Sequence, residues 1–366
     1  MKLYIKTYGC QANIADSEMM AGILKQNNHK LTGNEDEADT ILVNTCSVKN
    51  ATQSKEIHYI KEKSKAKKVI VGGCLTKTLD IRKHAPEVAA VFDTNSILKI
   101  PEILHTEKDH FSNEKENRIA APIIRKDKSV GIIPIGEGCL NSCTFCGTKL
   151  ARGNLRSYRI GDIKRSFEKV VGEGCRKIYL TSQDNGCYGF DIKTNLPELL
   201  NELTTIEGDY KIRVGMMNPW HLTKILPGLI DAYRSEKIMK FLHIPVQSGS
   251  EKLLKDMKRI HTVESFKTAV NEFRKSFPDI TIATDIIVGY PSETEQDFNL
   301  TYNLIKETKP QVLNISKFSS RPGTAASRLK QLPSEIIKER AVKLNKLYCE
   351  IRKEIIANDI LKQINV

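Results

Sequence analysis

The sequence predicts an α/β protein of two domains, because short apolar strands alternate with helices in two separate series. With 366 residues, of which 40% are hydrophobic, the chain is long enough to build two cores. A polar segment at 108–128, which we interpret as a linker, separates the two series. We therefore predict an N-terminal domain at 1–107, a larger domain at 129–330 and a C-terminal helical segment at 331–366.

The first series contains four short strands joined through helices. The predicted strands are Lys2–Thr7, Thr40–Asn44, Lys68–Gly72 and Val91–Phe92, and the main predicted helices are Ala15–Asn27, Ala51–Lys63 and Leu79–His84. Short connections of this kind favour a parallel sheet with helices on both faces. We expect a Rossmann- or flavodoxin-like domain, in which ligands bind at the carboxyl edge of the sheet.

The second series repeats the alternation on a larger scale. Its six predicted strands are Val130–Ile135, Lys177–Thr181, Lys211–Met216, Phe241–Ile244, Thr281–Val288 and Val312–Ser316. Helices fall between these strands, for example Ile160–Val171 and Thr294–Thr308. Six such units predict a TIM-type barrel, complete or partial, with its active site at the C-terminal ends of the strands.

Charge and cysteine content narrow the possible functions. Lys and Arg total 57 against 44 Asp and Glu, a formal charge of +13 that attracts polyanions such as nucleic acid. Charge alone leaves nucleic-acid binding open, since many basic proteins bind none. We find neither a leader nor an apolar run of membrane-spanning length, and therefore expect a cytoplasmic protein. Nine cysteines in a reducing compartment favour metal or redox chemistry over disulfides.

Three closely spaced cysteines directly follow the first strand of the second domain. Cys139, Cys143 and Cys146 have the spacing C-x3-C-x2-C, and cysteine thiolates are the usual ligands of iron–sulfur clusters. Three thiolates hold three irons of a 4Fe-4S cluster and leave the fourth iron open. A zinc site is the alternative, but it normally requires a fourth ligand nearby. The spacing, with Phe145 before the last cysteine, resembles the signature of the radical S-adenosylmethionine (radical SAM) superfamily.

The radical SAM resemblance implies a specific use for the open iron. In that superfamily the amino and carboxylate groups of S-adenosyl-L-methionine (SAM) bind it, and an electron from the cluster cleaves SAM to a 5′-deoxyadenosyl radical. Such a radical abstracts hydrogen from carbon atoms that no side-chain base deprotonates. A barrel mouth suits this chemistry, because a walled cavity keeps water away from the radical.

Three further cysteines, Cys10, Cys46 and Cys74, each follow a predicted strand of the first domain. Because the carboxyl ends of parallel strands share one edge, the three thiolates can converge on a second cluster. The alternative is three unrelated buried cysteines, and their spacing does not decide between the two.

The blocks YGCQAN, NTCSV and GGC ahead of CLNSCTFC closely resemble the radical SAM methylthiotransferases, and the similarity extends from Lys2 to about Arg328. These enzymes insert sulfur at a C–H position and methylate it, consuming two SAM molecules per turnover. The resemblance implies a second 4Fe-4S cluster on Cys10, Cys46 and Cys74, tied to the sulfur being transferred. The electron donor and the sulfur source are not identified by the sequence.

Polar residues at the predicted strand ends are the candidates for binding SAM. Gln183 and Asp184 follow the second strand, and Gln247 and Ser248 follow the fourth. A simple turn rich in Asn and Gly is the alternative for the first pair. Arg213, inside the third strand, forms either a structural ion pair or a contact to SAM or substrate.

For five other positions, a structural role is the simpler interpretation. His243 more often belongs to a core than to a site, and we expect Asp285 to be buried and paired. Cys175 and Cys187, like Cys349, carry no spacing signal, and burial or simple exposure explains them.

Basic residues beside an aromatic residue suggest an RNA contact after the cluster loop. The candidates for nucleic-acid binding are Lys149, Arg152, Arg156 and Arg159, which flank Tyr158, together with Arg321. A solvated basic loop is the alternative for 149–159, and holding its own loop is the alternative for Arg321.

The blocks LTSQDNGCYG, RVGMMNP and KLARGNLRSY resemble the archaeal and eukaryotic branch of the family. That branch modifies N6-threonylcarbamoyladenosine at position 37 of tRNA, whose carbon 2 carries a C–H of no useful acidity. The alternatives are a ribosomal-protein aspartate, another tRNA adenosine, or a non-catalytic iron–sulfur protein that binds RNA or transfers electrons. After Arg328 the sequence predicts helix, so we do not expect there the β-barrel RNA-binding domain (TRAM) usual in the family. Either the sequence is truncated, or tRNA binding falls to the first domain and the loop at 149–159.

Overall fold

The N-terminal domain is built on one parallel five-stranded sheet. The computed structural model describes residues 1–47 and 50–364, so Val48 of the NTCSV block lies outside the described residues. The strands are β1 (Lys2–Thr7), β2 (Lys30–Leu31), β3 (Thr40–Thr45), β4 (Lys68–Gly73) and β5 (Ala90–Val91), in the order β2-β1-β3-β4-β5. The helices are α1 (Gln11–Gln26), α2 (Asn50–Ser64), α3 (Ile81–His84) and α4 (Ile100–Thr106). This arrangement confirms the predicted parallel sheet.

The central strands are apolar on both faces, which is why helices cover both. In β3, Leu42 packs with Met20 and Ile100 on one side of the sheet. Its neighbours Ile41 and Val43 pack on the other side in a second apolar cluster. All three β3 side chains are fully buried, as expected for a central strand of a parallel sheet.

The second domain contains the six predicted parallel strands. They are β6 (Val130–Pro134), β9 (Lys177–Thr181), β10 (Lys211–Val214), β11 (Phe241–His243), β12 (Thr281–Val288) and β13 (Val312–Lys317), with a short hairpin of β7 (Gly136–Glu137) and β8 (Arg156–Ser157). The strands form two sheets, β10-β9-β6 and β11-β12-β13. Met217 N donates to His243 O at 2.9 Å and links the two sheets. No ladder pairs β6 with β13 among the described residues, so the barrel is partial.

Helices cover the outside of the partial barrel. The helices after β7 are α5 (Gly147–Arg152), which packs against the N-terminal domain instead, and α6 (Ile160–Gly172), α7 (Leu196–Thr204), α8 (Pro219–Ala232), α9 (Glu251–Asp256), α10 (Val263–Ser276), α11 (Glu295–Thr308) and α12 (Ser334–Ile364). Apolar residues of the strands and helices form one continuous core. Helix α12 joins this core through Leu344 and Ile351, and its Arg340 pairs with the buried Glu293 at 2.7 Å. The described C-terminal residues are therefore helical, as the sequence predicts.

Two segments differ from their sequence interpretation. The segment 108–128 does more than connect the domains, because its Arg118 is buried and binds Asp16 of α1 and Glu137 of β7. Part of the predicted basic loop 149–159 is helical and belongs to α5. Elements as short as α5, β7 and β8 are too short to show a periodic pattern of apolar residues, so the sequence does not predict them.

Candidate functional site

The three-cysteine loop lies at the C-terminal ends of the barrel strands. Cys139, Cys143 and Cys146 line a cavity of about 130 Å³. The other polar side chains around this cavity come from neighbouring strand ends and include Gln183, Asp184, Asn218, Gln247 and Arg259. A set of three sulfur donors that faces an amide-rich and cationic cavity fits a 4Fe-4S cluster whose fourth iron binds an amino acid derivative. The residues present therefore suit the radical SAM cluster.

Asp184 fixes the shape of the cluster loop. Its Oδ2 accepts hydrogen bonds from Asn141 Nδ2 at 3.2 Å and from His221 Nδ1 at 2.7 Å. Its Oδ1 accepts from the backbone N–H of Asn218 at 2.9 Å. The carboxylate is only 3% exposed, so its hydrogen-bonding capacity is used by the protein itself. Asp184 borders the cavity, but its geometry is that of a residue that positions Asn141 and the loop.

The thiols of the loop differ in acidity because their surroundings differ. A hydrogen bond from the Cys187 thiol, which outweighs burial, lowers the pKa of Cys139 to about 6. Burial raises the pKa of Cys146 to about 11 and also raises that of Cys143, although Arg259 opposes the latter effect. Since metal binding requires thiolates, loading the site releases protons. Cys187, which carried no spacing signal, is thus a direct neighbour of the cluster loop.

The remaining predicted SAM contacts divide into two groups. Gln183 and Gln247 border the cavity, as expected for strand-end residues. Ser248 does not, because it is fully buried and its Oγ lies 3.2 Å from Thr301 Oγ1 of α11. The Arg213 guanidinium lies 4.3 Å from the ring centroid of Phe241, inside the barrel and away from the cavity. Neither residue borders the cavity, so Ser248 is not placed to contact a ligand there, and the role of Arg213 stays a prediction.

The second cysteine set converges around one asparagine. Asn13 Nδ2 donates to the carbonyls of Tyr8 and Thr45, both at 2.8 Å, and these residues flank Cys10 and Cys46. Asn13 Oδ1 lies 3.6 Å from Cys74 Sγ. Asn13 therefore links the ends of all three strands.

Close packing at this edge also explains a glycine. Gly9 has φ +105°, and a Cβ at this position would lie 2.8 Å from Cys46 Sγ. Only glycine therefore allows the turn before Cys10 to approach Cys46. Cys46 and Cys74 are buried, whereas Cys10 is exposed. Three thiols on one edge, one of them open to solvent, suit a second cluster with an open iron.

Helix α5 connects the two cysteine sets. It begins directly after Cys146 and ends at Arg152, whose Nε lies 3.3 Å from Cys74 Sγ. Arg152 Nη2 donates to Asp16 Oδ2 at 2.6 Å and to Asn13 Oδ1 at 2.9 Å. With 3% of Arg152 exposed, the guanidinium is not available to a phosphate. This corrects the expected nucleic-acid contact: Arg152 holds the second cysteine set.

We expect Arg152→Gln to lower the free energy of unfolding by about 3 kcal/mol, because it leaves a buried carboxylate with one cation fewer. The measurement is denaturant unfolding of the metal-free protein under reducing conditions. Arg234→Gln is the matched control, since Arg234 and its partner Asp231 are mostly exposed, and it should cost no more than about 0.5 kcal/mol. Equal losses in the two variants would show that Arg152 is not structural.

Arg321 reaches the second cysteine set from the opposite side. It is 7% exposed, and its Nη1 donates to Gln53 Oε1 at 3.0 Å. The neighbouring Glu56 carboxylate accepts the Cys46 N–H at 3.2 Å, and burial raises the pKa of Glu56 to about 8. Arg321 therefore lies beside the cysteine site, and its expected contact with nucleic acid stays a prediction.

The other three basic candidates lie nearer to the surface. Lys149 is half-buried, and its Nζ donates to Asn154 Oδ1 at 2.8 Å beside the cluster loop. Arg156 is half-buried and Arg159 is exposed, and neither forms an ion pair with another described residue. Arg156 and Arg159 are therefore suited to contact a phosphate backbone.

The two cysteine sets are neighbours across the domain boundary. A Cβ on Gly147 would lie 3.6 Å from the carbonyl oxygen of Ser47 and 3.8 Å from Arg321 Cγ. Gly147 directly follows Cys146, and Ser47 directly follows Cys46. Groups bound at the two sets therefore face each other over a short distance.

Family comparisons agree with this geometry. The description "Radical SAM superfamily" matches residues 133–305, and "Uncharacterized protein family UPF0004" matches residues 2–93. The partial barrel with its three-cysteine loop is thus that of a radical SAM enzyme. A probable threonylcarbamoyladenosine tRNA methylthiotransferase of Pyrococcus horikoshii is 41% identical over all of this chain and 88% of its own length. The chain belongs to the radical SAM methylthiotransferase family.

Further relatives carry similar names. A probable threonylcarbamoyladenosine tRNA methylthiotransferase of Archaeoglobus fulgidus is 44% identical over 97% of this chain and 85% of its own length. The threonylcarbamoyladenosine tRNA methylthiotransferase of Homo sapiens is 38% identical over 95% of this chain and 62% of its own length. The chain thus falls within the archaeal and eukaryotic branch that its sequence blocks resemble.

Solved structures share the fold at low sequence identity. The radical S-adenosylmethionine methyltransferase TsrM from Kitasatospora setae, with cobalamin and a 4Fe-4S cluster bound, has a TM-score of 0.64 at 12% identity. That match covers 89% of this chain and 76% of the other. Apo OxsB, a cobalamin-dependent S-adenosylmethionine radical enzyme, has a TM-score of 0.61 at 11% identity, and the match covers 96% of this chain and 56% of the other.

In the described part of the chain, no helix has the length and apolar character needed to cross a bilayer.

Sequence reasoning missed the buried polar residues that support the site. Asn13 and Asp16 of α1 organise the second cysteine set, and Arg118 and Arg152 complete their network. Arg259 borders the cavity lined by Cys139, Cys143 and Cys146, which we call the SAM-side cavity. Its Nη1 lies 3.7 Å from Cys143 Sγ. One local signal was usable: the Asn within YGCQAN, three residues after the cysteine. The partners of the arginines lie too far away in the chain for any local pattern to show them.

Proposed function

We propose that the protein is a tRNA methylthiotransferase that acts on N6-threonylcarbamoyladenosine at position 37 and places a methylthio group on carbon 2. The observation that carries the proposal is the juxtaposition of two three-cysteine sets across Ser47 and Gly147. One set alone suits hydrogen abstraction, and the second supplies a place for sulfur beside it. The names of relatives that match the whole chain support the nucleoside as the substrate.

The protein side of the reaction follows from the cavity. A 4Fe-4S cluster held by Cys139, Cys143 and Cys146 supplies, with SAM, the one-electron chemistry that removes hydrogen from a non-acidic C–H. Gln183 and Gln247 offer amide groups to SAM, and Arg259 offers a cation suited to its carboxylate. Asp184 holds the loop through Asn141, so that the site is formed before SAM binds.

The second cysteine set supports the sulfur-transfer step. Cys10, Cys46 and Cys74 suit a second 4Fe-4S cluster, and the exposure of Cys10 leaves a path for a sulfur donor. Arg152 and Arg321 bring positive charge to Cys74 and Cys46, and Arg152 opposes the burial that raises the pKa of Cys74. Two SAM molecules per turnover follow from the product, since one provides the methyl group and the other is consumed in removing hydrogen.

Binding of tRNA and location belong to the same proposal. The charge of +13 favours association with a phosphate backbone, and Arg156 and Arg159 are suited to contact it. The target base lies in a loop, so turning it into a cavity costs less than it would in a duplex. A cytoplasmic location is consistent with a tRNA substrate.

Nucleoside mass spectrometry tests the proposal. The reconstituted protein is incubated anaerobically with SAM, a reductant, sulfide and tRNA that carries N6-threonylcarbamoyladenosine without the methylthio group. We expect that nucleoside to gain one methylthio group. Formation of 5′-deoxyadenosine without this gain would reject the substrate and favour another adenosine or a ribosomal-protein aspartate. Absence of 5′-deoxyadenosine from fully loaded protein would favour a non-catalytic iron–sulfur protein.

A further inference from the structure

A second cavity lies between the two cysteine sets, and we call it the inter-set cavity. Its volume is about 320 Å³, which falls in the range of pockets for small ligands. Ser47 and Arg321 border it on the side of the second set, and Cys146 and Gly147 border it on the side of the first. The ends of β12 and β13 close the remaining side.

The inter-set cavity and the SAM-side cavity share a wall. Phe145, Cys146, Thr148 and Gln247 border both. Gln247 adopts φ +74°, a left-handed conformation that is uncommon for glutamine and is typical of functional sites. Its backbone is held by Asp285 O and Ile287 N, at 2.8 and 3.0 Å. A ligand in the inter-set cavity is thus separated from the SAM side by a single layer of residues.

The strand side of the inter-set cavity carries an ordered polar cluster. Asp285 Oδ1 accepts from Asn314 Nδ2 at 2.7 Å and lies 3.0 Å from His243 Nε2. The β13 neighbours Leu313 and Ile315 pack in the core, so Asn314 faces the barrel interior, where it is exposed. Across the cavity, Ser47 Oγ is buried and has no hydrogen-bond partner among the described residues. Both walls therefore offer polar groups to a ligand.

Asn314 is set up to bind an adenine. The bond to Asp285 uses one hydrogen of its amide nitrogen and thereby fixes which side of the amide is the donor. The second hydrogen and Oδ1 form a donor–acceptor pair, the pattern by which asparagine reads N7 and N6–H of adenine. Carbon 2 lies on the opposite edge of the ring. A base held through that edge by Asn314 would have its carbon 2 on the side away from Asn314.

We infer that the inter-set cavity is the pocket for the target adenine and that Asn314, oriented by Asp285, determines the specificity for this base. The inference rests on the proposed function and adds the position and orientation of the nucleoside. Phe145 and Phe318 border the same cavity and offer aromatic surface to the ring.

An atomic substitution in the ligand tests the inference. The probe is an anticodon stem–loop with N6-threonylcarbamoyladenosine, compared with the 7-deaza form, which lacks the N7 acceptor. Kd is measured by fluorescence anisotropy on the reconstituted full chain. We expect the wild type to bind the 7-deaza loop roughly fivefold more weakly, the effect of one hydrogen bond. Asn314→Ala, which removes both hydrogen bonds to the base, should bind the normal loop roughly twentyfold more weakly and lose the discrimination between the two loops.

The control is Asn201→Ala, since Asn201 is exposed on α7 and outside both cavities. It should bind and discriminate as the wild type does. Equal wild-type affinity for the two loops would overturn the inference without any variant having to fold. Retained discrimination in Asn314→Ala would overturn it as well. Product formation, followed separately by mass spectrometry, decides the proposed function, so the two can fail independently.

Discussion

Replacing Cys143 with alanine is expected to reduce formation of 5′-deoxyadenosine to less than about one-thousandth of the wild-type rate. Cys143 lies in the middle of the loop and borders the SAM-side cavity together with Cys139 and Cys146. Without Cys143, the loop keeps only two thiolates. The three ligands of one cluster act as a unit, so the loss of one removes nearly all of the activity. The measurement is chromatography of the nucleoside products under anaerobic, reducing conditions.

The matched control for Cys143→Ala is Cys349→Ala. Cys349 is exposed on α12 and borders neither cavity. This variant should cleave SAM at the wild-type rate. Normal cleavage by Cys143→Ala, or an equal loss in the control, would contradict the assignment of the loop.

Replacing Cys46 with alanine is expected to separate the two halves of the reaction. SAM cleavage should continue within about threefold of the wild-type rate, because Cys46 does not border the SAM-side cavity. Transfer of the methylthio group should fall to background, because the second set keeps only two thiolates. Both quantities are measured on one reaction mixture, by nucleoside mass spectrometry of the tRNA and by assay of 5′-deoxyadenosine.

An unchanged yield of methylthiolated tRNA from Cys46→Ala would show that the second cysteine set is not needed for transfer of the methylthio group. Loss of both activities would instead indicate that Cys46 supports the fold around the first site, which Ser47 and Gly147 bring close. Thermal unfolding of the metal-free variant separates these causes. The wild-type transition should be retained if Cys46 acts only as a ligand.

Local pattern was enough to predict the strands and the cysteines. Buried parallel strands such as β3 carry apolar residues on both faces, here Ile41, Leu42 and Val43. The close spacing of Cys139, Cys143 and Cys146 is typical of the ligands of a 4Fe-4S cluster. The convergence of Cys10, Cys46 and Cys74 followed from their positions after parallel strands, although only the family resemblance made a cluster the favoured interpretation.

Contacts between distant parts of the chain limited the prediction of the remaining site. Arg152 looked like a surface arginine in a basic run, yet its partner Asp16 lies 136 residues earlier in the chain. Ser248 follows a strand end as Gln247 does, but only Gln247 borders the cavity, whereas Ser248 Oγ lies 3.2 Å from Thr301 Oγ1. The direction of each side chain at a strand end depends on packing that no single-sequence pattern contains.

Two separate three-cysteine sites, each suited to one 4Fe-4S cluster, face each other in this chain. Iron and acid-labile sulfide content of the anaerobically reconstituted protein tests this arrangement most directly. We predict about eight iron atoms per chain in the wild type and about four in the Cys10, Cys46 and Cys74 triple alanine variant, which should still cleave SAM. About four iron atoms in both proteins would contradict this arrangement.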